Sequence, residues 1–486
     1  MVRGRGFFPN QPSAGELEVA TSKIMHPQTM PEPRSARSQA GSRLLLLSAI
    51  VAALGSFLFG FDTVVVSGTN ELLQQVFRLD TFWLGFTVSS ALIGTMVGSL
   101  LAGRPADWWG RRPVLTVLAV LFLAAAIGCA LAWNWYALLF FRCLGGIAVG
   151  SASVVCPLYI TEIAPPARRG LLVAVSQLNI VVGILVAYLS NYLVAKCLGP
   201  DHPATWRWMF GVMALPATAF LMTAMSIPES PRWLIKQGRH SESESTLARF
   251  GHPNPKQEAE EIQESLKGET AAVHQRLFQR KYLKPLLLAC VIGIFNQLDG
   301  INAVLYYAPQ IFRMAGADKS DALMQSIIIG LTNLVMTVVA MGLIDRVGRK
   351  ALLLVGSVTF VISHLLAAWV FRTNAQGWIV ILALMGIVGS HAYSQGAVVW
   401  VLINELLPNA VRASGSALAC FVIWVFCGAV SWSFPVVVGK GGGHAAYAFE
   451  FFAAMMVLQF FILLKYLPET KGISLEELQK RLGVVD

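Results

Sequence analysis

The chain has 486 residues, 55% of them hydrophobic and 13% charged, with a mean hydropathy of +0.61. That charge fraction is about half of what a soluble globular domain carries, so much of the apolar surface has to face lipid, which excludes a soluble enzyme and a disordered chain. The net charge of +10 is not the mark of a nucleic-acid binder, because the charges lie between apolar blocks and in the tails, as in membrane proteins.

Residues 1–43 form a polar arm rich in Pro, Ser and Arg, read as disordered and cytoplasmic. The arm lacks the layout of a cleaved signal peptide, so the first apolar block is expected to be retained. Twelve blocks follow that are long enough to cross a bilayer as helices of roughly 17–25 residues. They are spans one to twelve: 44–66, 83–103, 113–132, 135–157, 171–194, 206–227, 284–312, 323–344, 351–371, 377–402, 414–438 and 445–467. An all-α membrane protein is therefore expected, with a bundle of six spans over 44–227 and a second over 284–467. A linker over 228–283 joins them, and a tail covers 468–486. Within the linker, the run from Pro255 to Glu269 reads as a polar amphipathic helix.

Of the 37 Lys and Arg residues, 29 fall on the side that carries both termini, seven on the other, and one, Arg142, inside span four. The positive-inside rule then places both termini in the cytoplasm, in a multi-pass protein of the plasma or inner membrane. The seven cysteines show no metal-ligand or disulfide-framework spacing. Gly439 to Gly443 lacks the spacing of a phosphate-binding loop. With no cofactor and no ATP site expected, an ion gradient or the substrate's own gradient has to supply the work. Gly94 with Gly98 and Gly146 with Gly150 read as close helix packing.

Short charged motifs recur. Asp107, Arg111 and Arg112 reappear as Asp345, Arg349 and Lys350, the first after 238 residues. Glu162 with Arg169 reappears as Glu405 with Arg412, and Pro228-Glu229-Ser230 as Pro468-Glu469-Thr470, after 243 and 240 residues. Parallel repeats around a midplane site are a transporter architecture. Arg104, Asp107, Arg111, Arg112, Glu162, Arg169, Glu229, Arg232, Asp345, Arg349, Glu405 and Arg412 are expected to form a salt-bridge network at the cytoplasmic helix ends. Such pairs are worth about 0–1 kcal/mol each when exposed. Several together bias an equilibrium between two states a few kcal/mol apart; the alternative is a purely topology-setting role.

These motifs, with Gly60-Phe61-Asp62, the Pro228 to Trp233 run and Gln297 to Asn302 leading into Tyr306-Tyr307, resemble those of the sugar porters of the major facilitator superfamily. The resemblance covers all but the tails. It implies twelve helices in two bundles and a hexose or pentose class of substrate; the parallel repeats point to transport by alternating access, and the protein is expected to act as a monomer.

A charge at a helix centre costs about 2.5–3.5 kcal/mol on insertion scales, which makes Asp62, Arg142 and Asp299 functional candidates. Asp62 held by the permanent cation Arg142 reads as a proton-binding pair, or else as a static buried ion pair. The resemblance favours the first, since proton-coupled members carry these two residues and facilitators a neutral one in place of Asp62. Asp299, offset from Asp62 by 237 residues, reads as a second proton site, as a partner for sugar hydroxyls, or as a water-exposed residue near a helix break beside Gly300. His391 reads as a substrate contact or a packing histidine.

Sugar hydroxyls both donate and accept, which suits amides together with an aromatic wall. Gln177, Asn179, Asn296, Gln297, Asn302, Asn333 and Trp424 lie in the spans. By resemblance Gln177, Gln297, Asn302, Asn333 and Trp424 match sugar contacts of the family, Asn296 stands for a common Gln, and Gln395 stands where a Trp is frequent. Span ten has Ala397 in place of the family's Pro, which is expected to alter its bend. Ile184 and Met213 replace a Gln and a Glu of xylose-carrying members, so xylose is not favoured; a hexose is expected over a pentose. Proton symport is the expected function, with a facilitator as the alternative. No enzyme constellation is present, and a non-transporting sugar receptor is not favoured.

Overall fold

The computed structural model describes residues 36–165, 169–271, 277–375, 377–408, 410–439, 444–473, 475–482 and 484. The regular structure of these residues is helical throughout. The arm expected to be disordered lies outside them up to residue 35; span one begins at Ala36 and runs to Val65. Eleven segments are long and apolar enough to cross a membrane among the described residues, and each falls on an expected span. The remaining one, span six, is divided into Thr205–Gly211 and Ala214–Ala224.

Pro216 accounts for the division. A proline ring has no N–H and crowds the carbonyl four residues back, here that of Val212. Around it the bonds tighten to three residues, with Met213 N–H donating to Phe210 O at 3.2 Å and Leu215 N–H to Val212 O at 3.1 Å. Val212 and Met213 nevertheless keep right-handed helical backbone. The two pieces continue as one rod roughly 30 Å long, enough to cross the hydrocarbon core.

Two other spans break where function was expected. Span seven is Arg280–Leu298 followed by Ile301–Met314, hinged on Gly300 at a φ of 76°. Span ten is Trp378–Tyr393 followed by Gln395–Leu406, with Ser394 at φ −112° and ψ −85° between them. Span ten thus bends without the missing proline.

Close packing sets the spacing of spans two (Thr81–Leu101) and four (Trp135–Ile163). A Cβ on Gly94 or Gly98 would lie 2.1–2.2 Å from the carbonyl oxygens of Cys143 and Ile147; one on Gly146 or Gly150 would lie 1.9–2.1 Å from those of Ala91 and Thr95. Both glycine pairs therefore let backbone rest on backbone.

The two ends of the molecule differ. At the end away from the termini, spans one to six and seven to twelve are joined. Asn70 donates to Tyr306 O at 2.9 Å, Tyr188 Oη to Leu305 O at 2.7 Å and Trp432 Nε1 to Phe82 O at 3.2 Å. Glu71 pairs with Arg313 at 3.4 Å and Lys319 at 3.6 Å, and Lys319 also meets Asp201. At the end that carries the termini the two sets part. Three short helices, Pro231–Lys236, His240–Arg249 and Pro255–Ala271, lie there. The last presents Ala259, Ile262 and Leu266 to Ile235 and Leu247, the apolar stripe of the amphipathic helix read from the sequence.

Candidate functional site

A cavity of about 710 Å³ lies between the two sets of spans. Its wall reaches Gly170 and Leu171 at the start of span five, Ile344 near the end of span eight and Arg349 at the start of span nine. It therefore opens toward the end that carries the termini, while the opposite end is sealed.

Gln177, Asn296, Gln297, Asn302, Asn333 and Trp424 all border this cavity. The break at Gly300 divides the amides of span seven between two helix ends. Asn302 Nδ2 donates to Gln297 Oε1 at 2.6 Å, and Gln297 Nε2 donates to Asn296 Oδ1 at 2.7 Å. This relay fixes the amides before any ligand arrives, which lowers the ordering cost of binding. The Trp424 indole faces Phe59 of span one, with ring centroids 6.0 Å apart and planes at 55°, so an aromatic wall comes from both sets of spans. Phe59, Thr63 and Tyr306 also border the cavity. The sequence reading passed over Phe59, although its position one turn before Thr63 puts it on the same helix face.

Gln395 is placed differently. It is buried, does not border the cavity, and donates from Nε2 to Gln459 Oε1 of span twelve at 2.7 Å. Asn179 is likewise spent within its own helix, on Val175 O at 2.9 Å. Ile184 borders the cavity and Met213 does not.

Asp62 and Arg142 meet on the inner face of spans one and four. Arg142 Nη1 lies 3.3 Å from Asp62 Oδ1, and 4% and 2% of the two residues are exposed. The same nitrogen reaches Asp62 O at 3.5 Å, while Nε has no hydrogen-bond partner among the described residues. The guanidinium stands 5.6 Å over the Phe210 ring. Gly145 of span four lies against the carboxylate, a Cβ there being 3.4 Å from Oδ1. Neither residue borders the cavity, but Thr63, next in the chain to Asp62, does.

Asp299 and His391, separate candidates in the sequence, are partners. Asp299 Oδ2 is 2.7 Å from His391 Nδ1, and its Oδ1 accepts Ile301 N–H at 2.9 Å. His364 Nε2 contacts the Asp299 carbonyl oxygen at 2.8 Å and stacks on Phe360.

At the end that carries the termini the repeated motifs build the same device twice. Glu229 accepts the N–H groups of Arg111 at 2.9 Å, Arg112 at 3.2 Å and Ser230 at 2.8 Å. Glu469 accepts those of Arg349 at 3.0 Å, Lys350 at 3.1 Å, Thr470 at 2.9 Å and Lys471 at 3.0 Å. Each carboxylate thus caps the first turn of a span. Burial pushes the Glu229 carboxyl above its ordinary value. It pushes Glu469 up as well, but there the backbone N–H groups prevail and hold the carboxyl below its ordinary value. Arg111 forks onto Glu162 with two bonds of 2.8 Å and reaches Asp107 at 3.3 Å, and Lys236 adds a 3.1 Å pair to Asp107. Arg349 pairs with Glu405 at 3.2 Å. Arg412 donates to Leu407 O at 3.2 Å, Arg112 to Met225 O at 2.5 Å, Arg104 is exposed and Arg232 half-buried. The side chains of Arg169 and Asp345 lie outside the described residues. No ion pair among the described residues joins the two sets of spans at this end, in keeping with the open cavity.

Gly110 and Gly348 make these caps possible. Their φ values are 99° and 103°, and a Cβ would lie 2.3 Å from Glu229 Oε2 and 2.8 Å from Glu469 Oε2. Gly110→Ala is expected to cost about 1–3 kcal/mol from strain at a left-handed position. A lowered unfolding temperature in detergent checks this, and an unchanged one would refute it.

A family model described as "Sugar (and other) transporter" matches residues 48–482. The chain is 36% identical over 476 residues to the D-xylose-proton symporter of Escherichia coli, covering 91% of this chain and 96% of that one. It is 35% identical to the arabinose-proton symporter of Bacillus subtilis, with 93% and 98% covered. To the glucose transport protein of a Synechocystis species it is also 35% identical, with 93% and 100% covered. Among solved structures it is similar to the inward-open conformation of the E. coli xylose transporter, at a TM-score of 0.80 and 35% identity, with 90% and 99% covered. The same transporter bound to 6-bromo-6-deoxy-D-glucose gives a TM-score of 0.74 at 35% identity, with 91% and 100% covered.

Proposed function

Because this chain belongs to the sugar porter family of the major facilitator superfamily, we propose that it imports a monosaccharide together with a proton by alternating access. It is a multi-pass membrane transporter and not an enzyme. The observation that carries the proposal is the coexistence of an amide-lined cavity, with Gln177, Gln297, Asn302 and Asn333 on its wall, and the buried Asp62–Arg142 pair at 3.3 Å beside it.

The chemistry follows from the two parts. Amides and the Trp424 face hold a neutral polyhydroxyl ring. Protonation of Asp62 removes its charge and loosens its hold on Arg142, which favours the state that accepts sugar from outside. Joint occupancy permits rocking to the state seen in the structure, with both termini in the cytoplasm and release into it. One charge crossing 100 mV contributes about 2.3 kcal/mol, or roughly fortyfold accumulation at about 1.4 kcal/mol per decade. Ile184 on the cavity wall offers no hydroxyl partner where xylose-carrying members have a Gln, which disfavours xylose itself; the substrate proposed is a hexose rather than a pentose. The polar ends of the network are proposed to lock the two sets of spans when the cavity faces outward.

A facilitator is the second reading, favoured by one observation, that Asp62 does not border the cavity. Uptake of a panel of hexoses, pentoses and polyols into proteoliposomes, with and without a protonophore, tests the two. Symport is expected to concentrate one or more of them only while a proton gradient stands; equilibration alone, indifferent to the protonophore, would leave the facilitator.

A further inference from the structure

Asp299 and His391 belong neither to the amide relay nor to the Asp62–Arg142 pair, yet they join the breaks of two spans. Asp299 is fully buried and sits at the break of span seven. One carboxylate oxygen caps the Ile301 N–H, at 2.9 Å, and the other meets His391 Nδ1, at 2.7 Å. His391 precedes the break of span ten, and its carbonyl accepts Ser394 N–H at 3.2 Å. A single bond therefore ties the two breaks.

The surroundings of Asp299 can be followed element by element. Span nine supplies His364, on the Asp299 carbonyl oxygen. Span ten supplies His391. Of the other titratable groups nearby, span eleven supplies the buried Cys427. Span twelve contributes the apolar Phe452, against Gly300. No Lys or Arg forms an ion pair with Asp299 among the described residues. Asp62 has a permanent cation; the counter-charge available to the Asp299 carboxylate is an imidazole that itself gains and loses a proton. A buried carboxylate without a cation is costly, so the pair has a reason to take up a proton. It also has a route. His391 borders the sugar cavity, and its Nε2 lies beside Gly396, which borders the cavity as well.

We propose that Asp299 and His391 form a second proton-binding site, open to the sugar cavity, whose protonated state ties the break of span seven to that of span ten. With the imidazole protonated the 2.7 Å contact joins two opposite charges; with it neutral, Nδ1–H still donates to the carboxylate but the attraction between full charges is gone. When the proton leaves through the cavity the tether slackens and both breaks are freer to bend. A sugar hydroxyl in the cavity meets the same imidazole. The use of this site in transport rests on the symport reading above; its ability to bind a proton does not.

Hydrogen–deuterium exchange on the full chain in nanodiscs, corrected for intrinsic rates, tests the site without any sugar. Peptides over 296–304 and 391–397 are expected to lose about five- to tenfold of their protection across a pH series from about 5 to 8. His391→Gln keeps a donor for Asp299 but has no proton to lose, so its protection is expected to be flat with pH; Asp299→Asn is expected to be flat too. Asp62→Asn is expected to retain the wild-type pH dependence, which separates this site from the symport reading, judged by accumulation in that same variant. Wild-type protection that does not change with pH would overturn the proposal. So would a pH dependence that survives His391→Gln, which would place the proton on His364 or elsewhere.

Discussion

Asp62→Asn is expected to abolish concentrative uptake while leaving exchange of sugar across the membrane intact. Asparagine keeps the shape and an acceptor for Arg142 Nη1, now 3.3 Å from the carboxylate, but has no proton to carry. At 100 mV the accumulation ratio should fall from about fortyfold to unity, the loss of one charge's worth of driving force. Uptake into energised proteoliposomes reads the first effect, and counterflow of preloaded sugar the second. Arg142→Leu is a harsher change. It strands a buried carboxylate, and removing one partner of such a pair costs about 3–5 kcal/mol, so poor folding is expected there rather than clean uncoupling. An Asp62→Asn protein that still concentrates sugar would remove Asp62 from the coupling step.

Gln297→Ala is expected to produce the largest loss of affinity. Gln297 is the middle of the relay, accepting from Asn302 at 2.6 Å and donating to Asn296 at 2.7 Å. Its removal deletes one sugar contact and leaves two amides unsupported. A loss of about 1.5–3 kcal/mol, or roughly ten- to a hundredfold in Kd, is expected. Gln395→Ala is the matched contrast. Gln395 bonds Gln459 at 2.7 Å away from the cavity wall, so its Kd should stay within about threefold. Calorimetry on the sugar chosen by the uptake panel compares the two. Equal losses would show that the relay is not the recognition element.

Much of this was legible in the sequence because membranes enforce simple rules. A lipid-facing chain has to satisfy its backbone within helices, so apolar blocks translate directly into spans. Asp62 and Arg142 could be paired on paper because intramembrane charges seek each other, and they lie 3.3 Å apart. The clustered amides of span seven likewise announced a polar wall.

What stayed hidden depends on packing. Asp299 and His391 are 92 residues apart, and no local pattern says that the break at Gly300 turns one carboxylate toward span ten. Gln395 carries the same amide as Gln297, and its direction is decided by Gln459 on a distant helix. Pro216 inside span six was not singled out, and its outcome, a tightened stretch, follows from the bonds available around Val212. Nor does sequence choose between states. The Glu71–Arg313 and Glu71–Lys319 pairs close one end in this conformation, while the network around Arg111 and Arg349 stays within its own set of spans.

Coupling itself has a direct readout. Adding D-glucose or D-xylose to de-energised proteoliposomes, with external pH recorded, asks whether sugar entry drags protons with it. The account expects the medium to turn alkaline on addition of a transported sugar, with the signal lost in Asp62→Asn. Sugar entry with no change of external pH would contradict it.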